Sequence, residues 1–504
     1  MNNRYIKIPE SISFKAIEGR NYTLSSSQYV DLVMPNTNFK LVKDFLARPL
    51  KRSDLGNEIG SVNYIDNSPF YFLRTKTLQS HTYLPEINSE TTTSIMPKAF
   101  ISANLKEGDL LISKDSNIGE IIILDKDYQN YMTSGAIYKL PVTENKYYLL
   151  AFIKHQIFRE QLDFMVPKGA TIRHAKTMFL DCKIPLPNKR SEETIKYVEF
   201  LTKSIISKEK LIKERHETIL NIIEKELLEN QKNNKFRYEF PNLNEIINVG
   251  RLDTSRYSKK YKEYEFLIKN YRRGSFKLSD YGYKARRGQN LQVSNIGQSY
   301  YTDDFYKGFY KLAVSSNFSE YSTIEKTTYL GNQKDLSKIK AGDIIFSARG
   351  AQFGRVVVFP ETIDNTITNI DSLVIQSSKS NLTRSIFIAL FLNNLRWNKH
   401  IYNIAITGSG ANSLTQYQAD DINFPNFEDK KLEEIASLYY SEKNQFKTGN
   451  CTPENFLQTD TKINQQAGIY ELDKSAKKIK ERLNKTIDDI INDRQVKITF
   501  DFEN

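Results

Sequence analysis

Two stretches of this sequence match each other closely: LKEGDLLISKDSNIGEIII (105–123) and IKAGDIIFSARGAQFGRVVV (339–358). In each, Gly-Asp marks a turn, and the apolar run after it predicts a half-buried strand. A second glycine, Gly119 or Gly354, then leads into another apolar run. The two stretches therefore predict the same pair of strands, built twice along one chain.

Four further pairs of motifs extend the repeat in both directions. They are FKL (39–41 and 276–278), FYFL and FYKL (70–73 and 309–312), KGATIRHAKT and GSGANSLTQ (168–177 and 408–416), and IPLPN and INFPN (184–188 and 422–426). Their spacings are 237, 239, 241 and 238 residues. Solenoid repeats have periods of about 20 to 50 residues, so this spacing indicates two copies of a whole domain.

A long helix is predicted after each copy. From Ser191 about forty residues run without Pro or Gly, and apolar residues recur every seven positions at Val198, Ile205, Ile212 and Ile219. Within 471–494, after an irregular stretch at 447–461, a second apolar seam contains Leu472, Ile479, Leu483 and Ile487. Such seams are typical of coiled coils, and a helix of this length needs a partner.

We therefore predict a mixed α/β fold with two pseudo-repeated domains separated by an antiparallel pair of long coiled-coil helices. The predicted boundaries are 1–190 for the first domain, 191–234 for the central helix, and 235–427 for the second domain. The predicted C-terminal helical region, 428–504, pairs with the central helix.

Composition limits the class of protein. The 504-residue chain has 72 Lys and Arg against 60 Asp and Glu, a net charge of +12, which is compatible with a polyanionic partner. Two cysteines, Cys182 and Cys451, cannot form a disulfide framework and favour a reducing compartment. No apolar run approaches the ~18 residues of a membrane span. We therefore expect a cytoplasmic protein without a membrane segment.

The order of these motifs resembles the specificity subunits of type I restriction-modification enzymes, over about residues 4–494. The resemblance rests on GDLLIS (108–113) and GDIIFS (342–347), on the exits at 184–187 and 422–425, on GRLDTSRY (250–257), and on the two seam helices. The sequence departs from the family in two places. The Gln-x-x-Ile that usually begins the helical regions is absent, and the second helical region is interrupted.

The resemblance implies a non-catalytic, sequence-specific double-stranded DNA recognition subunit with two target-recognition domains. It implies a bipartite target and partners that carry the chemistry. These are two modification subunits that methylate adenine at N6 with S-adenosylmethionine, and a restriction subunit driven by ATP. S-adenosylmethionine, Mg and ATP would belong to those partners, so this chain is expected to bind no cofactor.

Catalytic motifs are absent from the sequence. It has no Asp/Asn-Pro-Pro-Tyr/Phe tetrapeptide and no G-x-x-x-x-G-K-[ST] phosphate loop. The five His are scattered, so no zinc site is expected, and His216 is interpreted as a solvated helix-face residue. Glu224-Lys225-Glu226 resembles a nuclease Glu-x-Lys, but a solvated helical face is the better interpretation.

Candidate DNA contacts lie on loops attached to the repeated strands. Arg pairs with guanine and Asn or Gln with adenine, whereas Gly-rich polar loops and basic clusters suit phosphate. The candidates are Lys114, Asn117, Lys168, Thr171, Arg173, Arg286, Arg287, Arg349, Gln352, Ser409 and Asn412. Ordinary solvated or helix-capping turns remain the alternative for each loop.

Two other functions stay open at the level of sequence. One is a stand-alone DNA-targeting protein of another defence system, which would bind DNA without methyltransferase partners. The other is a scaffold whose repeated domains bind protein. DNA titration at rising salt distinguishes the protein-binding scaffold from a DNA-binding protein. Affinity that depends on phosphate contacts falls steeply with salt, whereas a scaffold has no such affinity to lose.

Overall fold

The structure is a computed structural model and describes residues 5–19, 22, 24, 26–165, 176–379, 381–408, 411–441 and 451–502. The chain forms two compact units. The first takes Met1–Leu211, Gln445–Gln465 and Leu472–Asn504, and the second takes Ile212–Asn444 and Gln466–Glu471. No helix among the described residues is both long and apolar enough to cross a membrane.

Short strands are distributed over both units. In the first unit they are β1 (Ile6–Lys7), β2 (Asp31–Leu32), β3 (Phe39–Leu41), β4 (Tyr71–Leu73), β5 (Thr92–Ser94), β6 (Leu110–Ser113), β7 (Ile121–Ile123), β8 (Tyr131–Thr133), β9 (Ile137–Leu140) and β10 (Lys183–Pro185). In the second unit they are β11 (Ser275–Phe276), β12 (Tyr283–Arg287), β13 (Tyr300–Thr302), β14 (Tyr310–Leu312), β15 (Thr328–Gly331), β16 (Ile344–Ser347), β17 (Val356–Val358), β18 (Thr366–Ile367), β19 (Ser372–Ser377), β20 (Ile406–Gly408), β21 (Ala411–Ser413) and β22 (Phe424–Pro425).

Helices follow the strands in each unit. They are α1 (Phe14–Glu18), α2 (Lys146–Lys154), α3 (Gln156–Met165), α4 (Ser191–Glu229), α5 (Leu243–Val249), α6 (Lys259–Lys269), α7 (Val293–Ile296), α8 (Leu382–Trp397), α9 (His400–Ile404), α10 (Gln416–Asp420), α11 (Asp429–Tyr439), α12 (Phe456–Gln466) and α13 (Ile469–Ile491).

The matching stretches form the same antiparallel sheet in both units. In the first unit β6 lies between β7 and β9, with Leu110 opposite Ile123 and Leu140. In the second unit β16 lies between β17 and β19, with Ile344 opposite both Val358 and Ile375. Every residue of β6 and β16 is buried, and β12 extends only the second sheet. The predicted mixed α/β fold with a repeated unit is confirmed.

The outer motifs of each repeat pair with one another. Strand β3, which contains the FKL motif, pairs antiparallel with β10 from the IPLPN motif. Strand β11 pairs with β22 in the same way, so the second FKL and INFPN motifs also meet. Each unit therefore contains a short ladder that joins its outer repeated motifs.

The first part of α4 packs against α13 within the first unit. Lys480 Nζ donates to Glu209 Oε1 at 2.7 Å, and Tyr197 Oη donates to the Thr499 carbonyl at 2.6 Å. Thr499 follows the end of α13, but Glu471 at the start of α13 interacts electrostatically with Arg215, which lies further along α4 than Glu209, so α13 runs antiparallel to α4. The seam residues are buried in both helices: Val198, Ile205, Ile212, Ile219, Leu472, Ile479, Leu483 and Ile487.

The stretch 447–461, predicted to be irregular, is helical in its second half. Helix α12 begins at Phe456, and its Asp460 forms a fully buried ion pair with Lys208 of α4. Ser204 Oγ donates to Asp460 at 2.7 Å, and Lys208 Nζ donates to Asn464 Oδ1 at 2.8 Å. The prediction missed this helix because its helix-forming contacts come from α4, about 250 residues away in sequence.

The prediction that His216 is solvated is wrong. His216 is buried, and Asn393 Nδ2 donates to its Nε2 at 3.2 Å. The pKa of His216 is lowered to about 4, because burial disfavours the charged ring. Glu224 is likewise more than a solvated helix residue, since it accepts hydrogen bonds from Tyr264, Asn394 and Asn398.

We expect His216 to make the second unit sensitive to acid. In the fold the ring stays neutral down to pH ~4, whereas in the unfolded chain it takes up a proton near pH 6.5. The contribution of neutral His216 to the free energy of unfolding is therefore complete above pH 6.5. It is lost as the pH falls towards 4, and the loss amounts to about 3 kcal/mol. Thermal unfolding of the unaltered chain and of His216→Gln should diverge across this range. A parallel pH dependence would contradict the assignment.

The apolar stretches 147–162 and 383–402 each favour a single helix in sequence, but both are broken in the structure. The stretch 147–162 divides into α2 and α3 at His155, whose backbone is extended at φ −78° and ψ 152°. The stretch 383–402 divides into α8 and α9 at Lys399, which has a left-handed φ of 59°. Neither break contains Pro or Gly, so the usual sequence signals of a helix end are missing.

Candidate nucleic-acid interface

The Gly-Asp turn before each central strand is closed by its own aspartate. Asp109 Oδ2 accepts from the Lys106 amide at 2.8 Å, and Asp343 Oδ2 accepts from the Lys340 amide at 2.9 Å. In both units the aspartate carboxylate thus satisfies the backbone of its own turn. The repeated aspartate is a structural residue.

The far end of each central strand opens into a turn that we call the inter-strand turn, residues 114–118 in the first unit and 348–353 in the second. Gly119 N donates to the Ser113 carbonyl, and Gly354 N donates to the Ser347 carbonyl, both at 2.8 Å. Both glycines have positive φ, 78° and 83°, which other residues adopt at a cost. The repeated Ser and Gly therefore close the same turn in both units.

The residues within the inter-strand turn differ between the units. In the first, Lys114 pairs with its neighbour Asp115, and Asn117 is half-buried near the Leu78 carbonyl. In the second, Arg349 is exposed and Gln352 is half-buried. The same hydrogen-bonded support thus carries two chemically different sets of side chains.

The second unit brings three separated candidate segments together. Arg349 Nε donates to Ser413 Oγ at 3.3 Å, and the Leu414 amide donates to the Ala348 carbonyl at 3.0 Å. Arg287 Nη2 donates to the Leu414 carbonyl at 2.8 Å. The basic cluster at 284–290, the inter-strand turn and the end of the β20–β21 hairpin therefore meet.

The side chains of Arg287 and Arg349 bring two positive charges to this meeting point, with the carboxylate of Asp371 nearby. Among the described residues, neither Arg287 nor Arg349 forms an ion pair. Burial lowers the pKa of Arg287, and the nearby charge of Arg349 lowers it further, while Asp371 opposes the shift. Arg287 Nη1 is buried and has no hydrogen-bond partner among the described residues.

Arg286 has a different environment from its neighbour. Its Nε donates to Gln376 Oε1 at 2.7 Å, and Gln376 Nε2 donates to Asp343 Oδ2 at 2.6 Å. Arg286 thereby ties strands β12 and β19 to the Gly-Asp turn. Of the two candidate arginines, Arg287 is the one that contacts the hairpin.

The remaining candidates are less informative. Asn412 is half-buried in β21, opposite Thr407. Lys168, Thr171, Arg173 and Ser409 lie outside the described residues. The structure therefore shows how the candidate residues of the second unit contact one another. In the first unit it shows this only around the inter-strand turn.

The GRLDTSRY motif (250–257) is held together by hydrogen bonds among its own residues. Arg251 donates to both carboxylate oxygens of Asp253, at 2.6 and 2.7 Å, and its Nη1 donates to the Ile404 carbonyl at 2.7 Å. Tyr257 Oη donates to the Arg251 carbonyl at 2.5 Å. The motif thus anchors the start of the second unit to the end of α9.

The sequence does not indicate that Ser413 contacts Arg349 or that the Leu414 carbonyl contacts Arg287. Ser413 lies 64 residues from Arg349, and Leu414 lies 127 residues from Arg287, so no local pattern relates them. Among the described residues, no three His, Cys, Asp or Glu side chains come together in a way that could hold a metal ion.

This chain is similar to one family of sequences and to several proteins of solved structure. Residues 58–221 match the family described as type I restriction modification DNA specificity domain. The S subunit of a type I restriction-modification system from M. genitalium is 11% identical over 89% of this chain and 95% of that chain, with a TM-score of 0.36. The HsdS subunit from Thermoanaerobacter tengcongensis is 10% identical over 88% and 96%, with a TM-score of 0.26. No curated protein matches this chain.

Proposed function

We propose that this chain, whose residues 58–221 belong to the type I restriction modification DNA specificity domain family, is the DNA recognition subunit of such a complex. It would bind double-stranded DNA in a sequence-specific way and would read a bipartite target, one half with each unit. The chemistry would lie in its partners, and this chain would not be an enzyme.

One observation carries the proposal beyond the family match. The two units hold their inter-strand turns with the same hydrogen bonds, but the turns carry Asp115 and Asn117 in one unit and Arg349 and Gln352 in the other. A rigid support with exchangeable side chains is what the recognition of two different half-sites requires. A scaffold that binds two copies of one protein would need matching side chains instead.

The proposed partners follow from the sequence resemblance. They are two modification subunits that methylate adenine at N6 with S-adenosylmethionine, and a restriction subunit that uses ATP and Mg. This chain would direct both methylation and cleavage and would hold no cofactor of its own. The complex would act in the cytoplasm, where the DNA is.

The proposal is tested by exchanging one unit. Replacing residues 1–188 with the equivalent domain of another specificity subunit should change one half of the methylated sequence and leave the other half unaltered. The reason is that the sheets and the inter-strand turn of the first unit lie within residues 1–188, whereas those of the second unit lie within residues 235–427. Methylation profiling of DNA from cells that express the chimera with its partners gives the recognised sequence.

The reciprocal exchange of residues 235–427 serves as the matched control and should change only the other half. A chimera that alters both halves, or neither half while remaining folded, would contradict the two-half-site proposal. Loss of methylation altogether would have to be separated from misfolding by circular dichroism of the purified chimera.

A further inference from the structure

Arg287 and Arg349 contact the same short segment, residues 413–414, although they come from different parts of the second unit. Both guanidinium groups hold neighbouring atoms of one segment, Arg349 at Ser413 Oγ and Arg287 at the Leu414 carbonyl. The backbone of that segment is itself fixed by the hydrogen bond from the Leu414 amide to Ala348. Two like charges are therefore held beside each other by the fold.

Three partly buried arginines of the second unit have carboxylate partners, whereas Arg286 donates to the Gln376 amide. Arg251 pairs with Asp253, and Arg355 and Arg396 both pair with Glu320. Arg287 and Arg349 are not paired in this way within the described residues, and the buried Nη1 of Arg287 has no acceptor there. An anion bound between the two guanidinium groups would remove their repulsion.

We propose that Arg287 and Arg349 together bind a single phosphate group of the DNA backbone. The inference rests on the proposed function, because it assumes that DNA is the ligand of this unit. A neutral base edge could accept from Arg349 alone, but it would leave the two cations unbalanced. A phosphate carries a full negative charge and accepts from several donors at once.

The neighbouring hydroxyl fits the same ligand. Ser413 Oγ accepts from Arg349 Nε, so its own proton remains available for an acceptor such as a phosphate oxygen. Phosphate contacts fix the position of a protein on DNA, and base contacts supply specificity. Arg349 would therefore position the inter-strand turn, and Gln352, three residues further along it, would be the better candidate to read a base.

The salt dependence of DNA binding tests this inference in the full chain. A fluorescein-labelled duplex of mixed sequence is titrated with protein at a series of NaCl concentrations, and the slope of log K against log salt is measured. Each phosphate that is neutralised contributes about 0.9 to the slope. Arg287→Gln or Arg349→Gln alone should weaken binding but keep most of the slope, because the remaining arginine still neutralises the phosphate. The double variant should lose about 0.9 and not about 1.8, because the two residues share one phosphate.

Two variants act as controls. Lys225→Gln removes one charge at an exposed position of α4 and should leave the slope unchanged. Arg349→Lys keeps the charge and should preserve the slope, because a phosphate accepts an ammonium as a point charge, whereas bidentate guanine recognition requires the guanidinium. Circular dichroism confirms that each variant is folded.

The outcomes separate the inference from the proposed function. If the unaltered chain binds DNA but the double variant keeps its slope, or if each single variant loses about 0.9 and the double variant about 1.8, the shared phosphate site is wrong and the proposed function stands. If the unaltered chain shows no salt-dependent binding of duplex DNA, the proposed function falls and takes the inference with it.

Discussion

Leu227→Asp is expected to destabilise the second unit by at least about 4 kcal/mol, whereas Leu228→Asp should have little effect. The two leucines are adjacent in α4, but Leu227 is 0% exposed and Leu228 is 56% exposed. Aspartate at 227 removes buried apolar surface and places a carboxylate where it has no water. At 228 the same carboxylate remains solvated.

Urea denaturation followed by circular dichroism, together with limited proteolysis, measures the difference between these variants. Because both substitutions introduce the same residue into the same turn of helix, helix propensity and net charge are matched. Similar midpoints for the two variants would show that the second part of α4 is not held by its buried face.

Lys208→Met should destabilise the first unit by about 3 to 5 kcal/mol. The substitution leaves Asp460 buried without its cation, and a buried unpaired carboxylate is costly. The double variant with Asp460→Leu should recover much of this loss, because two apolar side chains then replace the ion pair. Ser204 and Asn464, which also contact Asp460, would then lose a partner, so recovery should be incomplete.

Thermal unfolding of the two single variants and the double variant gives the coupling between the two residues. Proteolysis within 451–466 provides a second measurement, since α12 should detach from α4 in the single variants. Additive effects of the two substitutions would contradict the ion pair as the contact that holds α12.

Local patterns in the sequence were sufficient for much of the fold. The Gly-Asp turns and the strands after them depend on neighbouring residues, and the seven-residue spacing along α4 depends only on helix geometry. These features were predictable because their determining residues are close together in the chain. The breaks at His155 and Lys399 were not, since neither position carries a helix-ending residue type.

Long-range contacts limited the prediction of the candidate site. The burial of His216 depends on Asn393, 177 residues away, and the helix at 456–466 depends on Lys208. For the same reason Arg287, Arg349 and the hairpin were predicted as three separate DNA contacts and not as one. Residue type identified the candidates, but only the fold brings them together.

The ladders that join the outer repeated motifs have a consequence for how such a protein can evolve. Because β3 and β10 lie side by side, everything between residues 42 and 182 leaves and returns at one place. Insertions or deletions within that interval need not disturb the backbone outside it. Recombination between related genes on either side of the ladder would move strands β4 to β9 together with the inter-strand turn of the first unit. Under the proposed function, such an exchange would replace the side chains of that turn and the sheet that supports them together, faster than point mutations could rebuild both.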